Sequence, residues 1–237
     1  MGAMNNQTVL YNGSITLTEN RFVRLGYDFL GWAYTSGAGV SIKNEGSIKI
    51  DENFEGVIEG TTIKLHAVWS PIEYTLKLEA NGGNFVEGNA FVTGTYGEED
   101  FVLPAAEKLV RAGYTFLGWS TSASGESVLY TGGASVPVKL FTDGLKAAEE
   151  PVGTLYAVWT ENVYEVAFKG EHVRSNGAAS AVDGNTYSAN LTVDTGYTLT
   201  KDGISVEMNG TESVQFIYAN GVLTISSPVT GDIVITA

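Results

Sequence analysis

The chain contains no cysteine, which excludes a disulfide framework, a thiolate nucleophile and a cysteine metal site. Small folding units must therefore be held by their own cores and by neighbours rather than by covalent staples. Proline is scarce, 5 residues against 29 glycines, which points to many tight turns and away from extended proline-rich linkers. Basic residues are few: 13 lysines and arginines face 27 acidic residues, for a formal net charge of −14. That balance argues against nucleic acid and anionic membranes as partners. No apolar run approaches the roughly 20 residues that cross a bilayer, and no signal peptide is read. Met1-Gly2-Ala3-Met4 reads as a tag remnant, so a signal or anchor is expected outside this sequence.

What is present is a sentence written twice. Gly26-Tyr27-Asp28-Phe29-Leu30-Gly31-Trp32 recurs as Gly113-Tyr114-Thr115-Phe116-Leu117-Gly118-Trp119, and Leu65-His66-Ala67-Val68-Trp69 recurs as Leu155-Tyr156-Ala157-Val158-Trp159. The separations are similar, 69 − 32 = 37 and 159 − 119 = 40 residues. A repeat of this size marks an array of small modules, which supplies reach and surface more often than a catalytic pocket. A hydrophobic fraction of 43% is enough for those modules to bury cores.

The second copy reads as complete. Tyr74–Ala80 alternates apolar and polar residues as a half-buried strand, and Asn81-Gly82-Gly83-Asn84 is a turn. Strands follow at Phe91–Tyr96, Phe101–Leu103 and Tyr114–Trp119. Val138–Leu145 and Lys146–Glu150 read as an insertion without a first-copy match, with a short helical turn before Pro151. Leu155–Trp159 closes the unit, with Leu155, Ala157 and Trp159 on one face. The first copy starts late: Gln7–Gly13 corresponds to about Val92–Gly97, Arg24 to Arg111, and nothing matches the Tyr74–Ala80 strand. An unpaired sheet edge is the expected consequence. After Trp159 the motifs stop, and residues 162–237 read as a third, divergent all-strand module. Its strands fall at Val163–Phe168, Tyr187–Val193, Ile204–Met208, Val222–Ser226 and Ile233–Ile235, with a hairpin turn at Asn209-Gly210.

The motif pair, preceded in the second copy by Leu78-Glu79-Ala80-Asn81-Gly82-Gly83, resembles the internalin B-type repeat, also called the Listeria–Bacteroides repeat. The resemblance covers roughly residues 7–160 and implies small β-grasp-like, ubiquitin-like units in tandem, as in secreted and wall-attached bacterial surface proteins. The last module is similar to another repeat of Gram-positive surface proteins, through Gly196-Tyr197-Thr198-Leu199 and Pro228–Ala237, with an immunoglobulin-like or divergent grasp-like fold implied. The expected fold class is mostly β with some α+β character. The expected divisions are a tag remnant at 1–4, a first module over 5–71 lacking its opening strand, a complete module over 72–161, and a divergent module over 162–237.

Candidate chemistry is thin. His66 stands where the other copy has Tyr156, so an imidazole is replaceable there and reads as a strand-face residue. His172 lies in a loop or strand end, and no serine carries nucleophile-elbow spacing. Asp51, Asn53, Glu55 and Glu59 match early positions of a calcium loop, but position 12 is Thr62, where a bidentate glutamate belongs. A polar acidic loop is the preferred reading, and no metal or cofactor is expected. Trp32, Trp69, Trp119 and Trp159 invite a sugar-stacking role, yet all four lie inside the repeated motifs, as a packing requirement would place them. The residues expected to matter structurally are those four with Gly26, Tyr27, Phe29, Gly31, Gly113, Tyr114, Phe116 and Gly118. Asn-x-Ser/Thr matches at Asn6, Asn12, Asn190 and Asn209 read as turn chemistry.

The sequence thus points to a non-enzymatic segment of a bacterial surface or secreted protein, a stalk or spacer with adhesive contact as a further role. The alternatives are a glycan- or host-ligand-binding adhesion module and an accessory region of an extracellular enzyme. Expected partners are the neighbouring modules, with a host or cell-surface protein or glycan next. The chain is expected to be an elongated monomer without nucleic acid or membrane insertion.

Overall fold

A computed structural model of the chain describes residues 2–54, 60–88, 90–142, 151–210 and 214–237. It is mostly β. The described helical elements are one turn at Lys139–Thr142 and 3-10 turns at Ala106–Lys108 and Lys201–Gly203. No described helix is long and apolar enough to cross a membrane.

The first copy contributes β1 (Ser14–Thr16), β2 (Tyr27–Ala33), β3 (Ser47–Lys49) and β4 (His66–Pro71). β1 pairs antiparallel with β3, and β2 with β4. Trp32, Ile42, Ile48 and Ile50 form the buried centre, with Met4, Val9 and Leu17 packed against it. Residues 7–13, expected to extend as their counterparts do, form no strand. A strand needs a ladder partner, and no described strand pairs with these residues. The Gln7 side chain pins the segment instead, donating to Thr16 O at 3.0 Å and accepting from the Thr18 N–H at 3.0 Å.

The second copy contributes β5 (Glu73–Glu79), β6 (Asn84–Phe85), β7 (Phe91–Thr95), β8 (Phe101–Val102), β9 (Leu109–Val110), β10 (Tyr114–Ser120), β11 (Ser135–Val136) and β12 (Thr154–Glu161). Antiparallel pairs join β5 to β7, β8 to β11, β6 to β9 and β10 to β12. Tyr74, Leu76 and Leu78 alternate inward along β5, as the sequence pattern requires. The copies align further than sequence comparison suggests. Leu17 N–H bonds to Gly46 O, and Leu103 N–H bonds to Ala134 O. β3 therefore corresponds to β11, and buried Ile50 to buried Val138. Val138 is a matched core residue and not the start of an insertion. The helical turn begins at Lys139, and residues 143–150 lie outside the described residues.

The C-terminal part contributes β13 (Val163–Lys169), β14 (Val173–Ser175), β15 (Ser180–Val182), β16 (Tyr187–Val193), β17 (Ser205–Met208), β18 (Phe216–Ala219), β19 (Val222–Ile225) and β20 (Ile233–Thr236). Two four-stranded sheets, in the orders β15-β13-β20-β17 and β14-β16-β19-β18, enclose one core. Leu223, Ile225, Val229, Ile233 and Ile235 are its fully buried centre. Opening strand β13 and closing strand β20 run parallel side by side. Asn220-Gly221, with φ of +53° and +79°, makes the two-residue turn between β18 and β19. Asn209 and Gly210 adopt the same left-handed pair, +53° and +67°.

The chain partitions into two compact units. One comprises Met1–Leu78, Phe91–Leu103 and Ala134–Thr154, and the other Glu79–Ala90, Pro104–Gly133 and Leu155–Ala237.

Candidate functional site

The repeated heptapeptide does two jobs, and its glycines separate them. Gly26 and Gly113 hold φ of +75° and +76° in a tight turn that Arg24 and Arg111 open. Each arginine lies over the next tyrosine, 3.6 Å from the ring centre in both copies, an exposed cation–π contact of about 0.5–1 kcal/mol. Gly31 and Gly118 hold φ of +149°. At each, the strand register slips by one residue, between Phe29 and Gly31 and between Phe116 and Gly118. This β-bulge corrects the strict alternation expected across Tyr114–Trp119. Leu30 and Leu117 become the extra residue, about half exposed at 50% and 47%. The slip brings residues three apart onto one face, so Phe29 meets Trp32 edge-on at 5.1 Å and Phe116 meets Trp119 at 5.5 Å.

The four tryptophans divide into two kinds. Trp32 and Trp119 are buried, at 6% and 0% exposure. Trp119 donates its Nε1–H to Pro104 O at 3.1 Å. The Trp32 Nε1 is buried without an acceptor among the described residues. Trp69 and Trp159 are half-buried and meet Phe29 and Phe116 at 5.4 and 5.5 Å. Trp159 Nε1–H donates to Ala80 O at 2.9 Å.

The other job of the motif is to bond the residue that joins one strand to the next. β4 runs into β5 through the single residue Ile72, and β12 into β13 through Asn162. Ile72 N–H bonds to Gly26 O at 2.9 Å, and Tyr96 N–H bonds to Ile72 O at 3.0 Å. Ninety residues on the arrangement recurs: Asn162 N–H bonds to Gly113 O at 2.9 Å, and Asp183 N–H bonds to Asn162 O at 2.9 Å. Tyr96 and Asp183 occupy equivalent places, each followed by a glycine of positive φ (Gly97 +73°, Gly184 +77°) after the second strand of an opening hairpin. Side chains reinforce each junction differently. Tyr27 and Tyr96 meet edge-on at 5.8 Å. At the second junction Thr115 Oγ1 and Asn162 Oδ1 lie 2.6 Å apart, and Tyr164 donates its hydroxyl to Asp183 at 3.0 Å. That bond to the Asp183 carboxylate raises the Tyr164 hydroxyl pKa above its ordinary value. The Gly-Tyr pair stands out in the sequence, but its junction role does not. The bond runs through backbone atoms, and its far partners, Tyr96 and Asp183, share no side-chain chemistry.

The remaining candidates stay apart from one another. His66 sits on β4 opposite Ala33, as Tyr156 sits on β12 opposite Ser120. His172 stacks on Tyr197 with ring centres 3.8 Å apart and lies 3.8 Å from the Asp194 carboxylate, which Arg174 also engages at 3.1 Å. In the acidic loop, Asp51 pairs with Lys49 at 3.1 Å and accepts from the Asn53 N–H at 3.1 Å. The lysine bond, then the Asn53 bond, hold its carboxyl below the usual carboxylate range. Glu55 and Glu59 lie outside the described residues. Among the described residues no group of three or more His, Asp or Glu is arranged to hold a metal.

The sequence model of the Listeria-Bacteroides repeat domain matches residues 1–55 and 74–140. Two proteins of Evansella cellulosilytica are also similar. One, provisionally named a Gly-rich membrane protein, is 33% identical over 162 residues, covering 66% of this chain and 17% of that protein. The other, provisionally named a membrane protein, is 28% identical over 169 residues, covering 71% of this chain and 23% of its own length. The chain thus matches less than a quarter of either relative. No solved structure matches it.

Proposed function

The chain belongs to the Listeria-Bacteroides repeat family, and from that premise we propose that it is a non-catalytic tandem-repeat segment of a bacterial surface or secreted protein, serving as a stalk or spacer. The observation that carries this reading is the recurrence of one hydrogen-bonded junction at Ile72 and at Asn162. A tether would leave those backbone groups to water. Here two bonds per junction contribute about 1–3 kcal/mol, several times thermal energy, toward a fixed angle between successive modules. In this proposal the modules span 5–71, 72–161 and 162–237. The first two are β-grasp-like, and the same junction suits a third whose opening and closing strands are also parallel neighbours. The names of the two relatives support a place at the cell envelope.

A glycan-binding reading draws less support. Trp32 and Trp119 are buried, and Trp69 and Trp159 lean on phenylalanines rather than standing clear as stacking platforms. The spacer reading is tested with paired spin labels, which the absence of native cysteine makes simple. Lys43→Cys and Thr93→Cys place exposed labels on either side of the first junction. A single narrow distance distribution is expected. A broad spread like that of a flexible linker would refute the proposal.

A further inference from the structure

In the C-terminal part the opening strand β13 and the strand β20 lie side by side and run parallel. Their register is Val166↔Ile233, Ala167↔Val234, Phe168↔Ile235 and Lys169↔Thr236. A pull backward on the start of β13 and forward on the end of β20 therefore acts along the two strands in opposite senses. The bonds of a parallel pair are evenly spaced and run between the strands, so this load falls on all of them together. No single bond yields first and leaves the rest to follow. β20 is also a central strand, because its other edge pairs with β17 from Ser205↔Thr236 to Met208↔Ile233. The same pull must shear that second ladder too.

Side chains oppose sliding as well. Ile233 and Ile235 are 1% and 0% exposed, and their partners Val166 and Phe168 pack on the same core. A slip of one residue would turn both isoleucines to the opposite face. The strands therefore cannot creep from one register to the next without emptying the core. Each end of the ladder is also fastened. Ala237 N–H bonds to Lys169 O at 2.9 Å. At the other end the Asp232 carboxylate accepts the Glu165 N–H at 2.8 Å, one bond beyond the Val166 pair. Asp232 is itself held, since its carbonyl accepts the Asn209 N–H at 2.9 Å.

We propose that the β13–β20 pair is a mechanical clamp, which keeps this part of the chain folded when tension passes between Val163 and Thr236, and that the Asp232 carboxylate is its latch. Resistance to force is set by the barrier to unfolding rather than by equilibrium stability, and a ladder sheared as one unit raises that barrier. The use of the clamp rests on the spacer reading, because a stalk is pulled along its length. Its geometry does not. Broad spin-label distances at the first junction would refute the spacer and leave the forces below unchanged.

The test is single-molecule pulling on the full chain, with paired thiol handles introduced where none is native. Glu161→Cys with Ala237→Cys loads β13 against β20 in shear. Asp202→Cys with Ala237→Cys uses the same β20 handle but pulls from the start of β17, so the antiparallel pair opens at Ser205↔Thr236 and then one pair at a time. The whole ladder shares the load in the first geometry and a single pair bears it in the second, so a rupture force about threefold higher or more is expected in the first at equal loading rate. Asp232→Ala should lower the first force and leave the second unchanged, and Asp232→Asn, which keeps an acceptor oxygen, should restore it. The two geometries without any change at Asp232 still decide the matter if Asp232→Ala misfolds. Equal rupture forces in the two geometries overturn the clamp. An equal fall of both forces in Asp232→Ala overturns the latch.

Discussion

Gly118→Ala is expected to destabilise the unit containing it by at least about 3 kcal/mol, because strain and overpacking act together there. A Cβ on Gly118 would lie 2.5 Å from Tyr130 O and 2.6 Å from Val128 Cγ1, at a φ of +149° that side chains rarely adopt. Backbone cannot step aside as a flexible side chain can, so the bulge itself must shift, and Phe116 and Trp119 would lose their shared face. Gly31→Ala should behave alike, its Cβ meeting Ile42 O at 2.6 Å and Val40 Cγ1 at 2.7 Å. Gly37→Ala is the control. It also has positive φ, +80°, but nothing within 4 Å, so only the backbone preference is lost, about 1 kcal/mol. Urea unfolding followed by tryptophan fluorescence reads all three. Equal losses at Gly37 and Gly118 would mean that conformation, not close approach, explains these glycines.

The second large effect concerns the two copies as fragments. Residues 72–161 alone are expected to melt well above residues 1–71 alone. The longer fragment contains its opening strand, with buried Tyr74, Leu76 and Leu78, and burying each such side chain is worth about 1.5–3 kcal/mol. The shorter one keeps a half-buried closing strand and an indole N–H at Trp32 with no described acceptor. A difference of several kcal/mol, or no cooperative transition at all in residues 1–71, is the expected result of thermal scans on both. Equal melting temperatures would contradict it.

Much of this architecture is legible in the residues. The period of two in Glu73–Glu79 and Tyr187–Val193 yields strands at nearly the expected bounds, because each buries alternate side chains in a packed core. The late start of the first copy is read from the missing counterpart of Tyr74–Ala80, and among the described strands β4 pairs with β2 alone. Other features are hidden for physical reasons. The bulge at Leu30 and Leu117 keeps an alternating appearance while moving Trp32 and Trp119 to the opposite parity, and only Gly31 and Gly118 hint at it. The match of Val138 to Ile50 is masked by Pro137 standing where the first copy has Lys49. The junctions are least legible, since backbone atoms make them and Tyr96 and Asp183 share only a following glycine. His66 is legible by comparison alone, its place being taken by Tyr156.

The claim that successive repeats are locked together by backbone hydrogen bonds is tested most directly by amide exchange at Ile72, Tyr96, Asn162 and Asp183 in the full chain. These four amides donate to Gly26, Ile72, Gly113 and Asn162, so exchange as slow as at neighbouring strand amides is predicted for all four. Exchange at the rate of an unstructured peptide, at either junction, would contradict the account.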